Sequence, residues 1–269
     1  MSEEIKSAFE AAADHFGANS LSFWDYIGRR TIDLAQLSRG GNVLDVGCGS
    51  GASALPAAEI VGPSGHVVAI DFSTGLISLG QEKAIARGLR NIDFLCQDMT
   101  ALDYPENSFD AVVSALSIFF VDDMEMQIRK FWSVLKPEGV LAVTCWGPDV
   151  LEPAMSAWSE IVRDVRPDLL SEPSPGDRIS NRDELAALFR DGGAGDPVVV
   201  EEPGFHDIAH PADWWEIVMG TGLRGVMEEL SEDEINDVKS RTLAWATHSK
   251  LSKVELNVLY GRSKKSLER

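Results

Sequence analysis

Val43-Leu44-Asp45-Val46-Gly47-Cys48-Gly49-Ser50-Gly51 decides the fold. Four residues of strand character run into a glycine-rich turn, and an apolar helical pattern follows over residues 53–61. The same alternation continues outward. Strands are predicted over 66–70, 92–96, 111–114 and 140–145, with helices over 75–87 and 122–135 between them. Short, continuously apolar strands separated by helices imply a parallel sheet covered on both faces. Two helices, 3–16 and 22–37, precede it, and Asp122-Asp123 marks the start of the 122–135 helix.

Beyond residue 150 the rhythm changes. A helix over 152–164 leads to the loop SEPSPGD at 171–177, and Ser180 opens a helix ending at Gly192. Residues 197–203 read as a sixth strand, Ser231 with Glu234 as a capping box for a helix to about 248, and 254–261 as a last strand. The chain therefore reads as one domain: a helical cover over 1–40, a core over 41–148, and inserts at 149–178 and 206–250 that would form a lid.

Composition narrows the partners. The 269 residues carry a formal charge of −19, shared almost equally by the two halves. A polyanion is repelled along such a surface, which argues against nucleic acid and anionic membranes and leaves small molecules. Cys48, Cys96 and Cys145 form no CxxC pair, so neither a disulfide framework nor a metal site is expected, and a reducing cytoplasm suits them. The N-terminus is acidic where a signal peptide is basic, and no apolar run is long enough to cross a bilayer.

Ligands of open parallel sheets bind beyond the carboxyl ends of the strands, where the turn at Gly47, Gly49 and Gly51 lies. Gly47 and Gly49 with Ala52 also satisfy a dinucleotide fingerprint, so a nicotinamide-dependent oxidoreductase is the rival reading. Asp45 argues against it: a helix N-terminus favours a pyrophosphate and a neighbouring carboxylate does not. S-adenosylmethionine instead brings an ammonium and a sulfonium, which a carboxylate attracts. Asp71, ending the second strand, is placed either to accept from both ribose hydroxyls or to cap the next helix. Phe72 follows it as a surface for an adenine ring or as a core residue, and Gln97-Asp98-Met99 ends the third strand, where Asp98 either meets the adenine amino group or caps.

VLDVGCGSG, VVAIDFS, LCQDM, SFDAVVSALSIFFVDD and VLKPEGVLAVTCW, in this order and spacing, resemble class I S-adenosylmethionine-dependent methyltransferases over about 40–148. The resemblance extends to the small-molecule C-methyltransferases of ubiquinone and menaquinone biosynthesis. It implies an α/β, Rossmann-like, seven-stranded and mostly parallel sheet with helices on both faces and an antiparallel last strand. It further implies that Gly47, Gly49 and Gly51 surround the methionine part of the cofactor, with Asp45 supporting that end. Asp71 would bind ribose, Asp98 and Met99 adenine, and Ser114 would lie beside the amino-acid group.

Two departures from the quinone enzymes favour a less polar acceptor: Phe16 stands where they carry tyrosine, and Phe119-Phe120 where they carry arginine-asparagine. Phe16, Phe23, Trp24, Phe119, Phe120, Trp146 and, in the late insert, Trp214 with Trp215 are the candidate walls of an apolar substrate pocket. His15, His206 and His210 are the possible bases by chemistry, and none is singled out. The sequence thus predicts methyl transfer to carbon or oxygen of a small, largely apolar metabolite. A methyltransferase-like domain that binds without catalysing is the second alternative.

Overall fold

The computed structural model describes residues 3–170 and 175–267. The chain begins with α1 (Glu3–Ala12) and α2 (Phe23–Ala35), then alternates β1 (Asn42–Val46), α3 (Ala54–Val61), β2 (His66–Asp71), α4 (Thr74–Ala86), β3 (Ile92–Cys96), β4 (Phe109–Ala115), α5 (Met124–Val134) and β5 (Leu135–Trp146). α6 (Ala154–Val165), α7 (Arg182–Asp191), β6 (Val198–Glu202), β7 (Phe205–Asp207), α8 (Pro211–Met219), α9 (Arg224–Glu228), α10 (Glu232–His248), β8 (Lys253–Glu255) and β9 (Val258–Lys264) complete it.

β1 to β6 and β9 form one sheet in the order β3-β2-β1-β4-β5-β9-β6. Its strands pair in parallel from β3 to β5, and β9 runs antiparallel to both β5 and β6. This is the expected seven-stranded, mostly parallel sheet. Successive residues serve opposite faces, as the pleat requires. Leu44, Val46, Val112 and Leu141 pack with α5 and α7, whereas Val43, Val67, Ala69 and Val113 pack with α2 and α3. Strand order reverses between β1 and β4, so the crevice beyond their carboxyl ends is where an open α/β sheet receives ligands.

Several boundaries differ from expectation for local reasons. α1 stops at Ala12 rather than residue 16, and the chain turns through a short 3-10 segment, Asn19–Leu21, before α2. α7 is capped by Asn181, not Ser180: the Asn181 Oδ1 accepts from the amides of Asp183 and Glu184 at 3.1 and 3.0 Å. β5 reaches back to Leu135 through a bend in which Glu138 is left-handed. The single C-terminal strand expected over 254–261 is two strands. β8 pairs with β7 in a separate ribbon, and β9 enters the main sheet. Asn257 makes the step between them, its Nδ2 donating to the Pro148 carbonyl at 2.7 Å and its Oδ1 accepting from Gly204 at 3.2 Å. The capping boxes and dipole contacts fall as read elsewhere: Ser231 with Glu234 opens α10, and Asp123 accepts from Met126 to open α5. Of the loop expected at 171–177, residues 171–174 lie outside the described residues.

The N-terminal cover is tied down by side chains. Glu10 accepts from the hydroxyls of Ser73 and Thr74 at 2.5 and 2.8 Å and from the Gly75 amide at 3.2 Å, joining α1 to the first turn of α4. These bonds hold the Glu10 carboxyl below the usual range despite partial burial. The cover therefore sits directly over the end of β2.

Candidate active site

A cavity of about 1190 Å³ opens beyond the carboxyl ends of β1, β2 and β4. Single ligands occupy clefts of roughly 300–1,000 Å³, so this volume accommodates a cofactor and a second molecule together. One end is formed by the glycine turn with Asp71, Phe72 and Met99, and the walls continue over Phe16, Trp24, Phe119, Phe120, Trp146 and Trp158.

The turn is shaped by two glycines in particular. Gly47 has φ +70°, and a Cβ there would stand 2.4 Å from the Ser117 Cβ and 2.6 Å from its Oγ. Gly49 has φ +52°, and its Cβ would meet only Phe16 at 3.8 Å, across the cavity. Backbone can therefore approach a ligand closely here without side chains intervening. Gly51 faces the other way, against Leu55 and Phe94, and serves packing.

Asp71 is buried and joins the turn to β2. One carboxylate oxygen accepts from the Gly49 amide and the other from the Ser73 amide, both at 2.9 Å. Burial raises its pKa, and these two amides oppose the rise. α4 is capped by Ser73, whose Oγ accepts from Leu76, so Asp71 is not itself the cap of that helix. A carboxylate offers about four lone-pair sites, which leaves two for ligand hydroxyls at the cavity wall. Phe72 lies beside it, edge-on to Phe9 at 6.4 Å.

Asp45 stands one layer behind the cavity, on the α3 side of the sheet, outside the lining. Its Oδ2 accepts from Ser53 at 2.6 Å, and its Oδ1 has no partner among the described residues. Full burial pushes its pKa up to about 7, with the nearby Asp71 charge adding to the rise and Ser53 opposing it. Direct attraction of a cation, expected from sequence, is thereby weakened, because burial favours the uncharged acid. The shift has a sign that can be measured. The native state holds this proton between the ordinary aspartate range and about pH 7, so stability is lost as pH rises through that window. Asp45→Asn keeps an acceptor for Ser53 and should flatten that part of a chemical-denaturation profile. An unaltered slope would show Asp45 to be ionised throughout.

The third-strand residues also turn away. Asp98 caps the 3-10 turn Met99–Ala101, accepting from the Thr100 amide and hydroxyl at 2.8 Å each, and lies 3.9 Å from Lys6. Gln97 accepts from the Tyr104 hydroxyl at 3.1 Å. Neither lines the cavity, whereas buried Met99 does. Ser114 is fully buried and bonded to Ser117 Oγ at 2.7 Å, and Ser117 in turn donates to the Val46 carbonyl at 2.8 Å. It is Ser117 that reaches the wall.

Six of the eight aromatic candidates assemble there. Phe16 stacks on Trp24 with centroids 5.6 Å apart and planes within 2°, Trp24 packs on Trp146 at 5.7 Å, and Phe119 meets Phe120 edge-on at 4.7 Å. Phe23 joins them through Trp24 at 4.7 Å. Trp214 and Trp215 do not: both lie on α8, buried in the core, and neither lines the cavity. Sequence reasoning missed Phe9, Leu116, Met155, Trp158, Leu169 and Leu170, which also form the walls. Leu116, Asp149 and Leu151 line the cavity with left-handed backbones, an uncommon conformation that concentrates at functional sites. The three histidines are engaged elsewhere. His15 bonds Glu216 at 2.8 Å, His206 Nε2 bonds the Ser20 carbonyl, and His210 caps α8.

Among the described residues no group of His, Cys, Asp and Glu is arranged to hold a metal, and no helix is long and apolar enough to cross a membrane. Cys48 and Cys145 are buried and Cys96 exposed, all unbridged.

Residues 43–139 match a family described as methyltransferase domain. The chain is 34% identical over 142 residues to aklanonic acid methyltransferase of a Streptomyces species, covering 53% of this chain and 64% of that protein. It is 34% identical over 133 residues to demethylmenaquinone methyltransferase of Listeria monocytogenes, covering 49% and 54% respectively. The matches thus span about half to two thirds of those relatives. A solved S-adenosylmethionine-dependent methyltransferase from Aquifex aeolicus shares the fold with a TM-score of 0.53 at 20% identity, covering 70% of this chain and 89% of that one. The segment that matches the methyltransferase-domain family holds the glycine turn and the central strands β1 to β4.

Proposed function

We propose that the whole chain transfers a methyl group from S-adenosylmethionine to carbon or oxygen of a small, flat, largely apolar metabolite. One observation carries this reading: the glycine turn and Asp71 form one end of a cavity whose remaining length is walled mainly by aromatic and aliphatic side chains, with Asp149, Glu152, Arg163 and Glu229 also in the lining. When bound, the cofactor supplies an electrophilic methyl on positively charged sulfur. The chain's own residues would position and enclose it. Gly47 and Gly49 admit the amino-acid end, Asp71 accepts from the ribose, and Phe72 and Met99 flank the base. The stacked Phe16 and Trp24 rings and the Phe119-Phe120 pair hold a flat acceptor and exclude water, and their faces stabilise the sulfonium, each by about 0.5–2 kcal/mol.

No side chain is assigned as a base, because the three histidines are committed to other contacts. The substitution of Phe119-Phe120 for polar residues supports an acceptor less polar than a quinone precursor. Segments from 1–40, 149–178 and 206–250 contribute to the walls, which supports their role as a cover and lid. The strongly acidic surface supports a small-molecule partner over nucleic acid, and a cytoplasmic setting suits the unpaired cysteines.

Incubation with methyl-labelled cofactor and a panel of phenols, quinones, terpenoids and indoles tests this directly. Label should enter apolar ring compounds preferentially. Binding of cofactor without transfer to any class would favour the non-catalytic alternative.

A further inference from the structure

Lys83 occupies an unusual position for a cation. It lies on the inner side of α4, half-buried, and donates to the Oγ of Ser50 at 2.8 Å. No ion pair to it occurs among the described residues; Asp25 on α2 acts on it from a distance, and Arg87, one turn along α4, opposes it and is itself paired with Glu59. Burial lowers its pKa, the signature of a charge held without full solvation or counter-charge. Ordinary lysines at such positions are paired or reach water.

Its one partner is part of the candidate site. Ser50 is buried within the glycine turn and lines the cavity. A hydroxyl has one hydrogen and two lone pairs. Since Ser50 accepts from Lys83, its own hydrogen is free to donate, and no acceptor for it exists among the described residues. A cation behind the turn and an unspent donor in its wall together call for an anion on the cavity side.

We propose that Lys83 is a positioning residue for the carboxylate at the amino-acid end of the cofactor, acting through the Ser50 hydroxyl. The ammonium fixes Ser50 so that its O–H points at that carboxylate and adds favourable potential across one residue of protein. This rests on the methyltransferase reading above and assigns a role to a residue outside the glycine motif.

The test uses a matched ligand pair, S-adenosylmethionine and its decarboxylated analogue, which retains the ammonium and sulfonium. Calorimetry on the full chain should show Lys83→Gln binding S-adenosylmethionine about tenfold more weakly while binding the decarboxylated compound within about twofold of the parent. Ser50→Ala should reproduce this selective loss, and Lys83→Arg should recover most of it. Equal weakening of both ligands, or of neither, would overturn the role of Lys83 while leaving cofactor binding intact. Failure of the unaltered chain to bind either compound would remove the methyltransferase reading itself.

Discussion

Replacing Asp71 by alanine is expected to weaken S-adenosylhomocysteine binding by about 1.5–3 kcal/mol, roughly ten- to a hundredfold or somewhat more. Two losses combine. The remaining lone pairs of this buried carboxylate, available to ribose hydroxyls, disappear, and the Gly49 and Ser73 amides lose their acceptor. The second loss frees the turn and the start of α4 to move, and it should also lower stability by about 1–3 kcal/mol if either amide remains dry. Asp71→Asn separates the contributions. Its amide retains one accepting oxygen but faces the other N–H with a donor, so binding should still fall sharply while helix content is preserved. Calorimetry checks the affinity and urea unfolding the stability; an unchanged dissociation constant in a folded Asp71→Ala chain would strip the residue of its assigned role.

The second large effect is steric. In Gly47→Ala the new methyl would overlap Ser117, whose hydroxyl bridges the Val46 carbonyl and Ser114 and cannot turn aside without abandoning a buried carbonyl. Overpacking contributes about 1–3 kcal/mol and the left-handed backbone at Gly47 a further 1–2, so a loss of about 3 kcal/mol is expected together with loss of cofactor binding. The double variant Gly47→Ala/Ser117→Gly removes the colliding atoms, leaving Met99 Cε at 3.4 Å as the next neighbour. It should recover part of the stability. Gly49→Ala provides the contrast, since its methyl meets nothing closer than Phe16 at 3.8 Å and only the left-handed backbone, about 1–2 kcal/mol, opposes it. Binding should suffer there far more than folding. Parallel losses in both variants would mean that the turn is only structural.

Much of the architecture was legible because the central strands are short, apolar and punctuated by helix signals. The glycine turn and Asp71 were legible because backbone geometry at a strand end leaves few places for them to point. The direction of other side chains was not. In a sheet covered on both faces, Leu44 and Asp45 are equally buried, and nothing in the alternation tells which faces ligand and which faces α3. Asp98 follows the end of β3, where one further turn of chain decides between ligand and cap, and Thr100 two residues on made the cap. Ser117 and Leu116 escaped for the opposite reason. They follow β4 in a left-handed step that no propensity signals in a leucine. Trp214 shows the limit of composition: an insert rich in tryptophan was as able to build its own core as to wall a pocket. Trp158, the larger omission, lies on a helix whose apolar face gives no sign that a cavity rather than a neighbouring helix lies opposite.

A crystal structure grown with S-adenosylhomocysteine, at a concentration where calorimetry shows saturation, is the most direct measurement. The nucleoside should lie between Gly49, Asp71, Phe72 and Met99, with its sulfur facing the aromatic chamber of Phe16, Trp24 and Trp146. Density for the compound at any other place on the molecule, or none in that cleft despite saturation, would contradict the account.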